Sequence, residues 1–329
     1  MAGEFDLIEQ FFSKRQTSRK DVLLSIGDDC ALVKPPEFSQ IAVSTDTMVA
    51  GTHFLADADP AWLARKALSS NLSDLAAMGA VPAWVSLALT LPEMDTEWLK
   101  AFSDAFHQFA DYYDIQLIGG DTTKGPMSIT LTVQGLLPEG KALTRRGASV
   151  GDWIYVTGNL GDAKAGLDVI LNTVHGGVAS QPSALLKVLE KRHFESTPRI
   201  YAGQQLLNRA SAAIDISDGL YADLSHILSH SSVSARLDVD ALPLSAELQE
   251  YCSDPQQAQQ YALTSGEEYE LCFIVPELHR GSIEIELANI GTHITCIGQI
   301  QSGSGIVLHA SGEPLNWTLS GFDHFNNND

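Results

Sequence analysis

The chain has 329 residues, 44% of them hydrophobic and 19% charged, a balance that supports sizeable packed cores and, at ~100–200 residues per domain, two domains. Its 20 basic and 41 acidic residues give a formal charge of -21, which argues against a nucleic-acid or anionic-membrane surface and suits cations. No apolar run approaches the ~20 residues of a membrane helix. The N-terminal MAGEFDLIEQFF lacks a secretory signal pattern, and the four cysteines show no CxxC spacing, so the chain reads as cytoplasmic with free thiols.

Taken in chain order, SIGDDCALV (25–33) sets two adjacent aspartates, Asp28 and Asp29, between a glycine and an apolar run that also suggests a core role for Cys30. Residues 40–50, QIAVSTDTMVA, read as a strand rich in β-branched residues. A helix follows, with Asp59 as N-cap, Pro60 in its first turn and Gly79 as its stop. PAWVSLALTL reads as a strand. The next segment places Trp98, Phe102, Phe106, Phe109 and Tyr113 at spacings of three and four, one apolar helical stripe. Trp62, Trp84 and Trp98 read as core residues. IQLIGGDTT reads as a strand with a Gly turn, and MSITLTVQGLL as a further strand.

GASVGDW, near 147–153, reads as a linker that divides the chain into 1–148 and 149–329. Beyond it, WIYVTGNLGDAKAGLDVIL and SAAIDISDGLYADLSHIL each repeat a strand, Gly loop and helix. Interleaved strands and helices make the class α/β or α+β.

Five acidic segments stand in apolar settings: Asp28–Asp29, Asp46, Asp74, Asp121, and Asp215 with Asp218. Asp74 lies near the negative end of a helix, where a carboxylate is disfavoured by ~0.3–1 kcal/mol. Asp215 interrupts an apolar strand, and Asp121 follows two glycines that permit close backbone approach. Repeated local violations point to a site. Converging carboxylates need cations, and oxygen-only ligands suit Mg²⁺, which completes its shell with water and phosphate. Such a set suggests nucleotide phosphates and phosphoryl transfer. GxxxxGK[ST] and GxGxxG are both absent. The amides of TGNLGDAKAG, opening a helix, offer a weak anion cradle, and Arg145 and Arg146 offer positive charge.

These segments together carry a family likeness. GDDCALV, STDTMVAGTHF, NLSDLAAMGA, IGGDTT, ALTRRGA, GDWIYVTG, AIDISDGL, SGEEYEL and GFDHF, in this order along nearly the whole chain, resemble the thiamine-monophosphate kinase family. That family belongs to the superfamily of aminoimidazole ribonucleotide synthetase, selenophosphate synthetase and a hydrogenase-maturation protein. The resemblance implies a two-domain aminoimidazole ribonucleotide synthetase-like fold. Its N-terminal domain would bind metal and ATP and form a barrel-like core with a second copy, giving a homodimer, with a C-terminal α/β domain beside it. It implies transfer of a phosphoryl group from ATP to thiamine monophosphate, with several Mg²⁺ ions and no nucleic-acid or membrane partner.

Residue by residue, Asp29, Asp46, Asp74, Asp121 and Asp215 match metal-ligand positions, with Asp218 a further one and Ser44 and Thr45 assisting through side chain or backbone. Transfer would depend on Asp29, Asp46 and Asp121. Gly120, Asp121, Arg145 and Ser217 match ATP contacts, and His53, Glu267 and Phe322 match substrate contacts. Two departures stand out: Glu268 where the family commonly has Asp, and Phe322 where Trp or Tyr is more usual. The alternatives are another ATP-dependent synthetase of the superfamily and a non-catalytic Mg²⁺- or nucleotide-binding protein. Against the last, the aspartates are scattered, with no EF-hand loop.

Overall fold

The structure, a computed structural model, describes residues 8–13, 18–174 and 183–319. They fall into two compact units, one running to Leu75 and resuming over Ala80–Ala142, the other comprising Ala76–Gly79 and the chain from Leu143 onward.

In the first unit, the short strands β1 (Val22–Leu24) and β2 (Leu32–Val33) form a small ladder. Strand β3 (Ser39–Val49), helix α1 (Pro60–Met78), strand β4 (Val81–Leu91), helix α2 (Thr96–Tyr112) and strands β5 (Gln116–Lys124) and β6 (Ser128–Pro138) follow. A four-stranded sheet has the order β3-β6-β4-β5, antiparallel except for the β4–β5 pair. The α1 boundaries are those that the sequence signals: Asp59 Oδ1 accepts from the Ala61 amide, and Gly79 sits at φ +73°. Asp95 caps α2 by accepting from the Glu97 and Trp98 amides. On the apolar stripe of α2, Phe102, Phe106 and Tyr113 are buried, while Trp98 and Phe109 are half-buried. Of the three tryptophans read as core, only Trp84 is fully enclosed; Trp62 and Trp98 are half-buried.

The sheet alternates. Along β3, Ile41, Val43, Thr45 and Thr47 are exposed, whereas Ala42, Ser44, Asp46 and Met48 are half-buried or buried. The latter set faces α1, since the Ser44 hydroxyl donates to Asp74 of that helix. Across the sheet, Ile129, Leu131 and Val133 of β6 and Val85, Leu87 and Leu89 of β4 supply the buried face. The Gly119–Gly120 pair lies inside β5 rather than in a turn, at a bulge against β4. A Cβ on Gly120 would stand 1.8 Å from the Leu87 carbonyl oxygen, so strand pairing itself demands glycine there.

In the second unit, β7 (Trp153–Thr157), α3 (Asp162–Val174), α4 (Ala184–Phe194), α5 (Ile200–Leu206), β8 (Ala212–Asp215), α6 (Leu220–Ser231) and β9 (Ser234–Asp238) are followed by α7 (Ala246–Tyr251) and α8 (Pro255–Thr264). Then come β10 (Leu271–Val275), α9 (Arg280–Asn289), β11 (Ile294–Gln301), β12 (Gly305–Ala310) and β13 (Glu313–Leu315). The seven-stranded sheet has the order β13-β12-β9-β11-β7-β10-β8, and only the β9–β12 pair is parallel. With mostly antiparallel ladders in both sheets, the α+β description is the apt one. Ile154, Val156, Ile214 and Ile274 of the sheet pack with Leu220, Leu224 and Ile227 of α6.

The segment read as a linker is built into this unit. The Gly147 and Ala148 amides donate to Ser231 Oγ, Thr144 O accepts from the Ala213 amide, and Gly151 N donates to Ile300 O.

Gly120→Ala is expected to destabilise the chain by about 2 kcal/mol or more in urea unfolding. Gly119→Ala, whose Cβ would meet nothing within 4 Å, is expected to stay within about 0.5 kcal/mol of the parent.

Candidate functional site

In the first unit strand register sorts the candidate residues. Ser44 and Asp46 share the helix-facing side of β3, and the Ser44 hydroxyl donates to Asp74 Oδ2 from the last turns of α1. Asn71, one turn earlier, anchors its amide nitrogen on Ala67 O at 2.9 Å and presents its oxygen to the Asp46 amide. Burial and then the neighbouring Asp74 charge push the Asp46 carboxyl up to about 6, against a hydrogen bond from Ser70. Ser44, Asp46 and Asp74 are thus brought together as an oxygen donor set whose negative charge favours a cation. Thr45 points to the other face, where its hydroxyl pairs with that of Thr132 at 2.9 Å. On the Asp46 side it offers backbone only.

Asp121 is not brought to this set. It pairs with Ala88, which pairs with Thr130, which pairs with Thr47. Residues paired across a sheet share a face, so Asp121 lies on the side opposite Asp46. The two strands are also the outer ones of the sheet, about 14 Å apart at the usual spacing. Asp29 is exposed, its amide bonded to Asp28 Oδ1, in a segment that Ser25 fastens to β5 through Leu117 O and Gln116. Cys30 is exposed there too, so the core role read for it fails: this stretch lies on the surface, and its only strand is the two-residue β2. Among the described residues, no group of three or more His, Cys, Asp and Glu side chains is gathered closely enough to hold a metal.

His53 follows β3 in a turn. The Val49 amide donates to its Nδ1 at 3.0 Å. That nitrogen therefore accepts and carries no proton.

In the second unit, Asp215 ends β8 and is buried. Ser217 and Asp218 follow it, and both of their amides donate to Asp223 Oδ2 at 3.0 Å. Asp223 is buried, which together with the charge of Asp218 holds its carboxyl up, to about 7, although the amide bonds pull the other way. The Glu267 amide donates to Ser217 O and the Tyr269 amide to Ile216 O, so the 265–269 loop lies against this turn. Arg145 is exposed, one residue after Thr144 O accepts from Ala213 of β8. Phe322 lies outside the described residues.

The Gly-rich loop before α3 is not an open anion cradle. Glu268 Oε1 already accepts from the Gly161 amide at 2.7 Å and the Ala163 amide at 3.1 Å, and Ser265 Oγ accepts from Lys164 N. The longer arm of Glu268 is therefore turned inward as a helix cap. Beneath Gly158, Glu270 accepts a two-pronged bond from Arg199 and another from Thr157, and its carboxylate fills the space that a Cβ at Gly158 would need.

Sequence reasoning did not single out Asn71, Asp223 or the Arg199–Glu270 pair. Asp223 had a readable signal, an acidic residue in the first turn after DG. Arg199 and Glu270 lie 71 residues apart and had none.

The N- and C-terminal domain models of the AIR synthase related protein family match residues 27–137 and 149–311. The thiamine-monophosphate kinase of Escherichia coli K12 is 52% identical over 324 residues, covering 98% of each chain. The chain belongs to the thiamine-monophosphate kinase family. A thiamine-monophosphate kinase structure from Stenotrophomonas maltophilia K279a superposes on this family member with a TM-score of 0.83 at 42% identity, covering 91% of this chain and 93% of that one. A structure described as AaThiL complexed with AMPPCP and TMP gives 0.76 at 31% identity, covering 98% and 97%.

The raised Glu268 carboxyl, pushed up to about 8 mainly by burial, sets a pH dependence. The folded chain holds this proton where the unfolded chain, near 4.5, has lost it. Its stabilising contribution is complete below about 4.5 and is lost as pH rises toward about 8. Glu268→Gln, neutral throughout, should gain stability relative to the parent between pH 5 and pH 8, read from urea midpoints at both values.

Proposed function

We propose that this chain transfers the γ-phosphate of ATP to thiamine monophosphate, giving thiamine diphosphate and ADP in thiamine diphosphate biosynthesis. The full-length likeness to thiamine-monophosphate kinases carries this reading, and the relative solved with AMPPCP and TMP supports the substrate pair.

The acceptor is already an anionic phosphate oxygen, so the reaction requires no protein base. A new P–O bond forms from that oxygen to the γ-phosphorus as the bond to the β,γ-bridging oxygen breaks in line, and ADP leaves. What the protein contributes is position and charge. His53, its ring fixed by the Val49 amide at Nδ1, contacts the substrate. Arg145, Ser217 and the Gly120–Asp121 backbone contact ATP, and Glu267 and Phe322 receive the cationic thiamine rings. Magnesium, several ions of it, neutralises the phosphates when bound. Asp46, Asp74 and Ser44 would hold it with Asp29, Asp121 and the Thr45 backbone in residues 1–148, and Asp215 and Asp218 in residues 149–329. The all-oxygen set at Ser44, Asp46 and Asp74 suits that ion.

The functional unit is a homodimer. Ile41, Val43 and Val81 leave 42%, 63% and 46% of their surface exposed. On the same outer face run the Thr45–Thr132 and Thr47–Thr130 pairs. A second copy covers this face. No helix among the described residues is long and apolar enough to cross a membrane.

The test is thiamine diphosphate formation from ATP, Mg²⁺ and thiamine monophosphate, followed by chromatography with an EDTA control. Mg²⁺-dependent product is expected. ATP consumption with a different phosphorylated acceptor would indicate a related synthetase, and nucleotide binding without turnover a non-catalytic protein. Asp46→Asn and Asp121→Asn should each lower kcat by about 10²-fold or more with unchanged melting temperature.

A further inference from the structure

We infer that His193 is a positioning residue for Glu267, and through it for the cationic part of the substrate; this rests on the kinase reading above. His193 lies on α4 and is 3% exposed. Its Nδ1 stands 3.1 Å from the Ala163 carbonyl oxygen at the start of α3. A carbonyl only accepts, so Nδ1 carries a proton. Its Nε2 faces Glu267 Oε2 at 3.6 Å. A carboxylate also only accepts, so this contact is attractive when Nε2 is protonated too. The ring then bridges a fixed backbone carbonyl and the Glu267 carboxylate.

The two ends of this bridge are held independently. At Gly166 of α3 a Cβ would come within 2.2 Å of Leu189 O and 2.9 Å of His193 Cβ, so α3 and α4 pack at backbone distance beside the ring. Phe194 meets the ring edge-on at 5.0 Å between centroids. Glu267 stands at φ +61° and Tyr269 at +54°, left-handed conformations that cost a side-chain-bearing residue free energy. The backbone bonds of Glu267 to Ser217 O and of Tyr269 to Ile216 O, with the buried Glu268 cap between them, hold that strain in place. The loop thus has one strained backbone, which sends Glu268 inward to cap α3 and Glu267 toward His193. A carboxylate so fixed keeps 28% of its side chain exposed, enough to meet a cationic ring while His193 fixes its rotamer from behind.

Two conservative variants separate positioning from packing. In His193→Asn the amide nitrogen replaces Nδ1, keeping the Ala163 bond and deleting the group that faces Glu267. In His193→Gln the amide nitrogen replaces Nε2 instead. Steady-state kinetics of the full chain should show the Asn variant with KM for thiamine monophosphate raised about 5–10-fold, and KM for ATP and kcat within about two-fold. The Gln variant should lie nearer the parent. In Glu267→Gln the further change to His193→Asn should add less than two-fold.

An Asn variant with unchanged KM overturns the role of His193, as does a Gln variant worse than Asn, or additive effects in the double variant. Simple loss of packing shows as a lowered melting temperature with lowered kcat and raised KM for both substrates together, and likewise overturns it. A parent chain that forms no thiamine diphosphate at all sinks the kinase reading first, and this role with it.

Discussion

The eleven-residue pairing of β3 with β6 fixes most of what the first unit can do. A strand shows alternate residues to opposite faces, so one register decides that Ser44 and Asp46 look toward α1 while Thr45 and Thr47 look away. The same ladder, carried through β4, settles the face of Asp121. A slip of one residue would turn Asp46 from its Asn71 and Ser44–Asp74 surroundings to the open side. Met48, buried on the same side of β3, resists that slip, because it would be exposed along with Asp46. The placement of charge in this unit is a by-product of where its apolar residues must go.

The second unit solves a different problem, how to keep a polar loop rigid. Three inward carboxylates do it. Asp223 collects the amides of Ser217 and Asp218, Glu268 collects those of Gly161 and Ala163, and Glu270 is gripped by Arg199 and Thr157. Each exchanges hydration for several directed bonds, and burial costs such groups dearly unless those bonds are made. The result is a DISDG turn and a SGEEYE loop whose backbones are bonded to each other at Ser217–Glu267 and Ile216–Tyr269. Side chains projecting from such a scaffold keep one direction, the condition for recognising a substrate by position rather than by adaptation.

Local signals in the sequence carried far for the elements. Asp59, Pro60 and Gly79 mark α1, and β-branched content marks β3, because caps and strand propensity act within a few residues. The strand through Gly119–Gly120 was not legible, since the glycine is required by the Leu87 carbonyl of a neighbouring strand. Likewise the TGNLGDAKAG loop reads locally as an anion cradle, and only the fold reveals that Glu268, more than a hundred residues on, already occupies it. Asp46, Asp74 and Ser44 were readable as a group through ordered motifs. The distance of Asp121 from them was not, because strand order is a property of the whole sheet.

The internally capped α3 has a consequence for inhibitor chemistry. Nucleotide mimics designed against glycine-loop ATPases draw much of their affinity from backbone amides at a helix start. Here the amides of Gly161, Ala163 and Lys164 are already engaged by the chain's own Glu268 and Ser265. A polyphosphate surrogate would have to evict a buried side chain to use them. Selective compounds for this scaffold therefore have to find their affinity elsewhere, and off-target binding by glycine-loop ligands is disfavoured from the outset.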